Sequence, residues 1–271
     1  RPAARPVVPA RWGSGPVTYV REVMNGLAGQ DDQRPDVRPA TGGATTFDRL
    51  FAEAAPLIQH GRHQRDSPPV AGGRWPLSVV LRPDHACAER LEQAMTQFEG
   101  LAGAGHFRTG IGGSVHITVR VLEGYREAVG EDDQAVQRYA RAMSRAAGEV
   151  GAIEVHLVGL TLTSGSVVAC VYPADDSADR FMDPFEHELG ADAWCEAGFR
   201  RDIWYANILH FAADIAKPAD LIEWVAQRRE LDLGRTVIDT AQLVRFRYEE
   251  GREGRLMRPE VLAEAPLRST R

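Results

Sequence analysis

Hydrophobic and polar positions follow two rhythms along most of this chain. In residues 114–122, Val115, Ile117, Val119 and Val121 alternate with Ser114, His116, Thr118 and Arg120. That period of two marks a strand with one apolar and one polar face. Residues 76–82 make a shorter apolar run, and residues 153–163 and 166–172 flank a Ser164-Gly165 turn as a hairpin. Residues 203–212 and 236–248 complete the expected strands. Helical spacing governs residues 85–101, where Asp84 is the N-cap and Leu91, Ala94, Met95 and Phe98 share a face. Further helices are expected over residues 132–150, 178–197 and 219–228.

The first seventy residues read differently. Prolines at 2, 6, 9, 16, 35 and 39 and the Gly42-Gly43 pair break them into short pieces. Residues 17–27 and 47–58 have helical character, the second with Thr46 as a cap and Phe47, Leu50, Phe51 and Ala54 at helical spacing. Residues 62–73, with Pro68-Pro69 and Gly72-Gly73, read as a linker. The expected organisation is an N-terminal extension over 1–70 that packs on the main domain, a main domain over 71–250, and a polar C-terminal tail over 251–271. Hairpins interleaved with helices predict an α+β fold with two antiparallel sheets, not a parallel doubly wound sheet. Each half carries a strand that ends in or contains a histidine.

Composition narrows the function classes. At 271 residues, 44% hydrophobic and 26% charged, the chain suits one large domain or two small lobes. The net charge of −6 argues against tight duplex DNA binding and against coating an anionic membrane. Lys217 is the sole lysine among 32 basic residues, which removes P-loop and most Schiff-base chemistry. The arginine excess reflects either genome composition or guanidinium forks placed for phosphate and carboxylate. Cys87, Cys170 and Cys195 form neither a disulfide framework nor a CxxC pair, which fits a cytoplasmic setting. No run approaches the 18 apolar residues of a membrane span, and residues 1–11 have no apolar core like that of a signal peptide.

The candidate chemistry lies in two segments. His116, Thr118 and Arg120 project from one face of a strand: a proton carrier, a neutral donor and a charged fork. That face is either a solvated surface or a phosphate-binding groove. His210, in the run Trp204-Tyr205-Ala206-Asn207-Ile208-Leu209-His210-Phe211-Ala212, shares a face with Ala206 and Ile208 and taken alone reads as a core histidine. Other motifs carry less. His187-Glu188 lacks the second histidine of HExxH, since Ala191 stands there. His60 and His63 lack a nearby third ligand. Gly110, Gly112 and Gly113 precede a strand, so no dinucleotide fingerprint exists. His85, His106 and His156 read as surface or hydrogen-bonded histidines. Neither a metal nor a cofactor is expected.

Taken as a pair, the two segments resemble the two-histidine (2H) phosphoesterase superfamily, which includes bacterial 2′-5′ RNA ligase-like proteins and cyclic phosphodiesterases. Its signature is a His-x-Thr/Ser motif on each of two facing strands. His116-Ile117-Thr118 matches, after a glycine-rich turn; His210-Phe211-Ala212 departs from the pattern at Ala212. The resemblance runs from Pro76 to Tyr248. It implies two pseudo-symmetric lobes around a central cleft, with helices outside. It also implies metal-free chemistry on a 2′,3′-cyclic phosphate or 2′-5′ linkage of an RNA end or nucleotide. His116 and His210 share the acid and base roles, in an order the sequence leaves open. Thr118 binds phosphate, and Arg120 either offsets charge or lies one step too far away. Tyr205 or Asn207 replaces the hydroxyl missing at Ala212, or the substrate differs, or the chemistry has decayed. Two alternatives stay open: a nucleotide-binding protein repurposed on this scaffold, and a protein-interaction module in which both histidines are incidental.

Overall fold

Asp84 begins a helix where the sequence places it, and Asp133 begins the helix expected from residue 132 two residues later than expected. In the computed structural model, which describes residues 42–251 and 254–268, Asp84 accepts a hydrogen bond from the Cys87 N–H and Asp133 one from the Val136 N–H. Each satisfies one of the orphan donors at a helix start. The helices are α1 (Gly42–Gln59), α2 (His85–Ala102), α3 (Gln134–Ala147), α4 (Ser177–Leu189) and α5 (Pro218–Ala226). The strands are β1 (Leu77–Leu81), β2 (Phe107–Arg108), β3 (Ile117–Glu123), β4 (Ile153–Thr163), β5 (Ser166–Pro173), β6 (Trp204–His210), β7 (Asp232–Ile238), β8 (Thr240–Gly251) and β9 (Gly254–Pro266). The expected helix over 17–27 lies outside the described residues.

The architecture is α+β, but its strands form one continuous sheet where two were expected. Their order is β2-β9-β8-β1-β3-β6-β5-β4-β7, and β2 also pairs with β6. The second pairing closes β2, β9, β8, β1, β3 and β6 into a barrel, from which β5, β4 and β7 continue. All pairs are antiparallel except β2–β9, where Phe107 faces Arg255. The largest apolar cluster draws on α2, α3, α4 and α5 and on most strands. A second cluster of Trp75, Val80, Phe107, Tyr125, Val244, Phe246 and Met257 lies apart from it. Phe47 and Leu50 of α1 join Cys170 and Ile203 in a third.

Several boundaries depart from expectation. The strand expected over 236–248 is two strands parted at Asp239. The helix expected over 178–197 changes at Gly190, whose φ is 51°, into a 3-10 helix, Gly190–Glu196. The residues expected as a polar tail form β9, paired with β8 along its length. Pro259 and a high charge content hide this strand from sequence, because Pro is rare inside sheets. Its charges are cross-strand partners: Arg258 with Glu249, Glu260 with Arg245 and Arg255 with Glu250.

The segment before β1 is anchored at both ends. The Gln64 N–H donates to the Ser164 carbonyl and the Asp66 N–H to the Phe211 carbonyl. His63 and Arg65 hold Ala213 and Asp214. Gly72 and Gly73 exchange backbone hydrogen bonds with Tyr125. What reads as a linker is laced to the chain that follows β6.

Candidate active site

A β-bulge decides where His210 points. In the β5–β6 ladder Val167 faces Leu209 and Val168 faces Asn207, so Ile208 has no opposite number. Its carbonyl accepts from both Thr109 and Gly110. The extra residue reverses the alternation. Ala206, Ile208 and Leu209 all enter the main core, and His210 turns to the other side. There its ring meets Trp75 of the second cluster edge-on, at a centroid distance of 4.7 Å. His210 therefore does not share a face with Ile208, as strict alternation predicts.

His116 approaches the same cluster from β3. It lies just before that strand, whose Ile117 pairs with Ala206 of β6. Its ring is 5.0 Å from Phe246, and Phe246 is 6.2 Å from Trp75. The two imidazoles thus flank one aromatic wall, in the order His116, Phe246, Trp75, His210. In each ring Nδ1 has a defined partner. His116 Nδ1–H donates to the Ser114 carbonyl at 2.8 Å, which leaves Nε2 with a lone pair when the ring is neutral. His210 Nδ1 lies 2.9 Å from Arg74 Nη2. A guanidinium only donates, so Nδ1 is the acceptor and the hydrogen of the neutral ring sits on Nε2.

The surroundings favour neutral rings. Burial pushes the His116 imidazole down to about 4, with a smaller contribution from Arg82 working against the Ser114 hydrogen bond, which raises it. Burial also lowers His210 well below the usual histidine range, and the charges of Arg74 and His116 add to the effect. Asp66 reaches the same ring nitrogen as Arg74. Its carboxylate pairs with Arg74 and brings Oδ2 within 3.2 Å of His210 Nδ1.

Of the other expected site residues, Tyr205 and Arg120 are held away from the two histidines. Thr118 is half-buried on β3, opposite Val80 of β1. Asn207 is half-buried on β6, opposite Val168. Tyr205 packs against the cluster around Phe47 and Leu50, away from Trp75. Arg120 is only 1% exposed; its guanidinium meets Glu186 and the carbonyls of Ala193 and Glu196. It fastens β3 to the 3-10 helix and is not part of the histidine pocket. The strict alternation fails here too. The β1–β3 register shifts twice, and Leu122 joins the main core where Val121 was expected. Ala212 packs beside the second cluster, and its N–H donates to His106 Nδ1. His106 Nε2–H then donates to the Ala102 carbonyl, so both of its nitrogens are satisfied.

Sequence reasoning missed Asp66, Arg74, Trp75, Arg82 and Phe246. The available signal was Gly72-Gly73-Arg74-Trp75, a glycine pair that releases an arginine and the largest aromatic just before β1. Among the described residues no group of three or more His, Cys, Asp and Glu side chains is arranged to hold a metal ion, and no helix is long and apolar enough to cross a membrane.

No protein-family model matches the chain, and no curated protein matches it. Solved structures do. TT0787 of Thermus thermophilus is 16% identical, with a TM-score of 0.48 over 72% of this chain and 99% of its own. E. coli LigT in complex with NADP+ is 14% identical, with a TM-score of 0.46 over 75% of this chain and 100% of its own. A protein described as a phosphoesterase is 12% identical, with a TM-score of 0.46 over the same shares.

Proposed function

We propose that this protein is a metal-free phosphoesterase of the two-histidine type, acting on a 2′,3′-cyclic phosphate or 2′-5′ phosphodiester of an RNA end or nucleotide. On this reading two lobes meet at the β3–β6 pairing and each contributes one histidine to a shared cleft. The supporting observation is the complementary hydrogen bonding of the two rings. The Ser114 carbonyl leaves His116 Nε2 bare and able to accept a proton, whereas Arg74 keeps the hydrogen of His210 on Nε2, the nitrogen from which the ring donates once it is protonated.

His116 is then the general base. It takes the proton of a water or ribose hydroxyl as that oxygen attacks phosphorus. His210 supplies a proton to the leaving oxygen as the P–O bond breaks, so one proton enters the pair and one leaves. A base pulled down to about 4 is weak, but an anionic phosphate beside it favours the charged imidazolium and raises its proton affinity. Thr118 remains the candidate donor to a non-bridging oxygen. At position 212 there is no hydroxyl, and the N–H already serves His106.

Hydrolysis of 2′,3′-cyclic nucleotides and short 2′-5′ oligonucleotides tests the reading. His116→Ala and His210→Ala should each lower kcat by roughly 100-fold or more. The missing hydroxyl at Ala212 favours one competing reading, a nucleotide-binding protein without turnover. Wild-type protein that binds nucleotides and cleaves none of these substrates establishes that alternative.

A further inference from the structure

His210 Nδ1 has two suitors and can serve one at a time. Arg74 Nη2 at 2.9 Å requires a lone pair on Nδ1; Asp66 Oδ2 at 3.2 Å requires a hydrogen there. Oδ2 is buried and makes no hydrogen bond to the described residues, while the other carboxylate oxygen holds Arg74. An unsatisfied buried carboxylate oxygen is costly. Here it is aimed at the one ring nitrogen that gains a hydrogen when His210 is protonated.

We propose that Asp66 and Arg74 are positioning residues that exchange His210 Nδ1 between them: Arg74 holds the neutral ring, and Asp66 takes over Nδ1–H when a phosphate group arrives. The inference rests on the phosphoesterase reading for its catalytic meaning. A general acid must be an imidazolium, because a neutral ring that gave up Nε2–H would become an anion. Asp66, Arg74 and neutral His210 carry no net charge together. Protonation leaves one positive charge in a buried place, which an anionic phosphodiester offsets. The acid is therefore made in the presence of substrate and not before. In the step itself the P–O electron pair goes to the leaving oxygen, which takes the Nε2 proton. The ring ends neutral with its hydrogen on Nδ1, bonded to Asp66; once Nε2 takes a proton from water, Nδ1 releases its own to solvent and Arg74 reclaims that nitrogen.

The charged and titratable groups that face the ring are Arg74 and Asp66 from the segment before β1 and His116 from the approach to β3. Its strand partners Phe107 and Ser166 are uncharged.

Imidazole 15N NMR on the full chain reads both tautomer and titration, with or without turnover. Without ligand at pH 7, wild-type His210 should show an unprotonated Nδ1. Saturating inorganic phosphate should bring a hydrogen onto it. Arg74→Ala should place the hydrogen on Nδ1 without phosphate and raise the titration midpoint by about 1 unit or more, and Asp66→Asn should lower it. Arg74→Lys, which keeps a donor, should restore the wild-type tautomer. Asp66→Asn should also lower kcat by more than tenfold at nearly constant KM. A wild-type ring already protonated at Nδ1 without phosphate overturns the inference, and this needs no variant to fold. So does a midpoint that neither substitution moves, even in a protein that turns over cyclic phosphates, whose phosphoesterase reading then stands. Opposite shifts in a protein without turnover support the exchange and remove the phosphoesterase reading alone.

Discussion

Trp75 meets His210 edge to face, with ring centroids 4.7 Å apart, and it does so from a backbone with φ of 70°. It is the one non-glycine residue among those described with positive φ. Such a conformation costs on the order of 1–3 kcal/mol. Trp75→Ala should lose about 3–5 kcal/mol of stability through the vacated aromatic wall. Trp75→Gly loses the same ring but relieves the backbone, so it should equal or exceed Trp75→Ala by up to about 1 kcal/mol. Urea denaturation of the two variants checks the order, and the reverse order removes the strain.

His116 should make the fold sensitive to mild acid. Its folded value is about 4, against an ordinary value of 6.5. Between those limits the unfolded chain binds a proton that the folded chain refuses. Stability therefore falls as pH drops from about 6.5 to about 4 and is unaffected by this group above that window. The full effect is on the order of 3 kcal/mol, and His210 acts in the same direction. Denaturation midpoints of wild type and His116→Gln from pH 4 to 7.5 should converge near neutrality and diverge in acid, with the variant more stable there. Parallel curves would falsify the assignment.

Arg120 offers a test that separates stability from catalysis. Its buried guanidinium donates to the Ala193 and Glu196 carbonyls and pairs with the partly exposed Glu186, while the buried Glu196 binds both Arg201 and the Val121 N–H. Removing the guanidinium strips a donor from two buried carbonyls at roughly 1–3 kcal/mol each and leaves a cavity, so Arg120→Ala should be destabilised. The apolar replacement Arg120→Met should recover part of that loss. KM for a cyclic phosphate should stay at the wild-type value in whichever variant folds. A rise of tenfold or more returns Arg120 to the phosphate.

Gly124 links the scaffold to the pocket. A Cβ there would lie 2.3 Å from the Gly72 carbonyl oxygen, inside the pairing that feeds the chain toward Arg74 and Trp75. Gly124→Ala should cost about 1–3 kcal/mol, as crowding of a packed site does. It should also lower kcat, because the displaced segment before β1 carries the residues that contact His210. Unchanged thermal stability and turnover would show that the pairing yields freely.

Much of the scaffold was legible because it follows local rules. Asp84 caps as its side chain dictates, and the Ser164-Gly165 turn joins β4 to β5 where the pattern puts it. His116 could be found because it adjoins a strand with clean alternation. The orientation of His210 could not, since the extra residue at Ile208 leaves no mark in a run that is mostly apolar on both sides of it. Asp66 and Arg74 were hidden for another reason. Their partners are remote in sequence, and proline and glycine signals around them are equally those of a loop. Residues 254–266 were mistaken for a tail because their charges look solvated until β8 supplies the opposite set.

The lacing of the segment before β1 to the chain beyond β6 also dictates an order of assembly. Arg74 and His210 are 136 residues apart, and His63 and Ala213 are 150 apart. Contacts of such separation form after local ones, since loop closure must precede any gain from them. During synthesis Asp66 and Arg74 emerge long before the imidazole they serve. A nascent chain that has already built β1, β3 and their helices still has half a pocket. The site is finished only when β6 brings His210 to residues that have been waiting for it and β8 adds Phe246 to the wall.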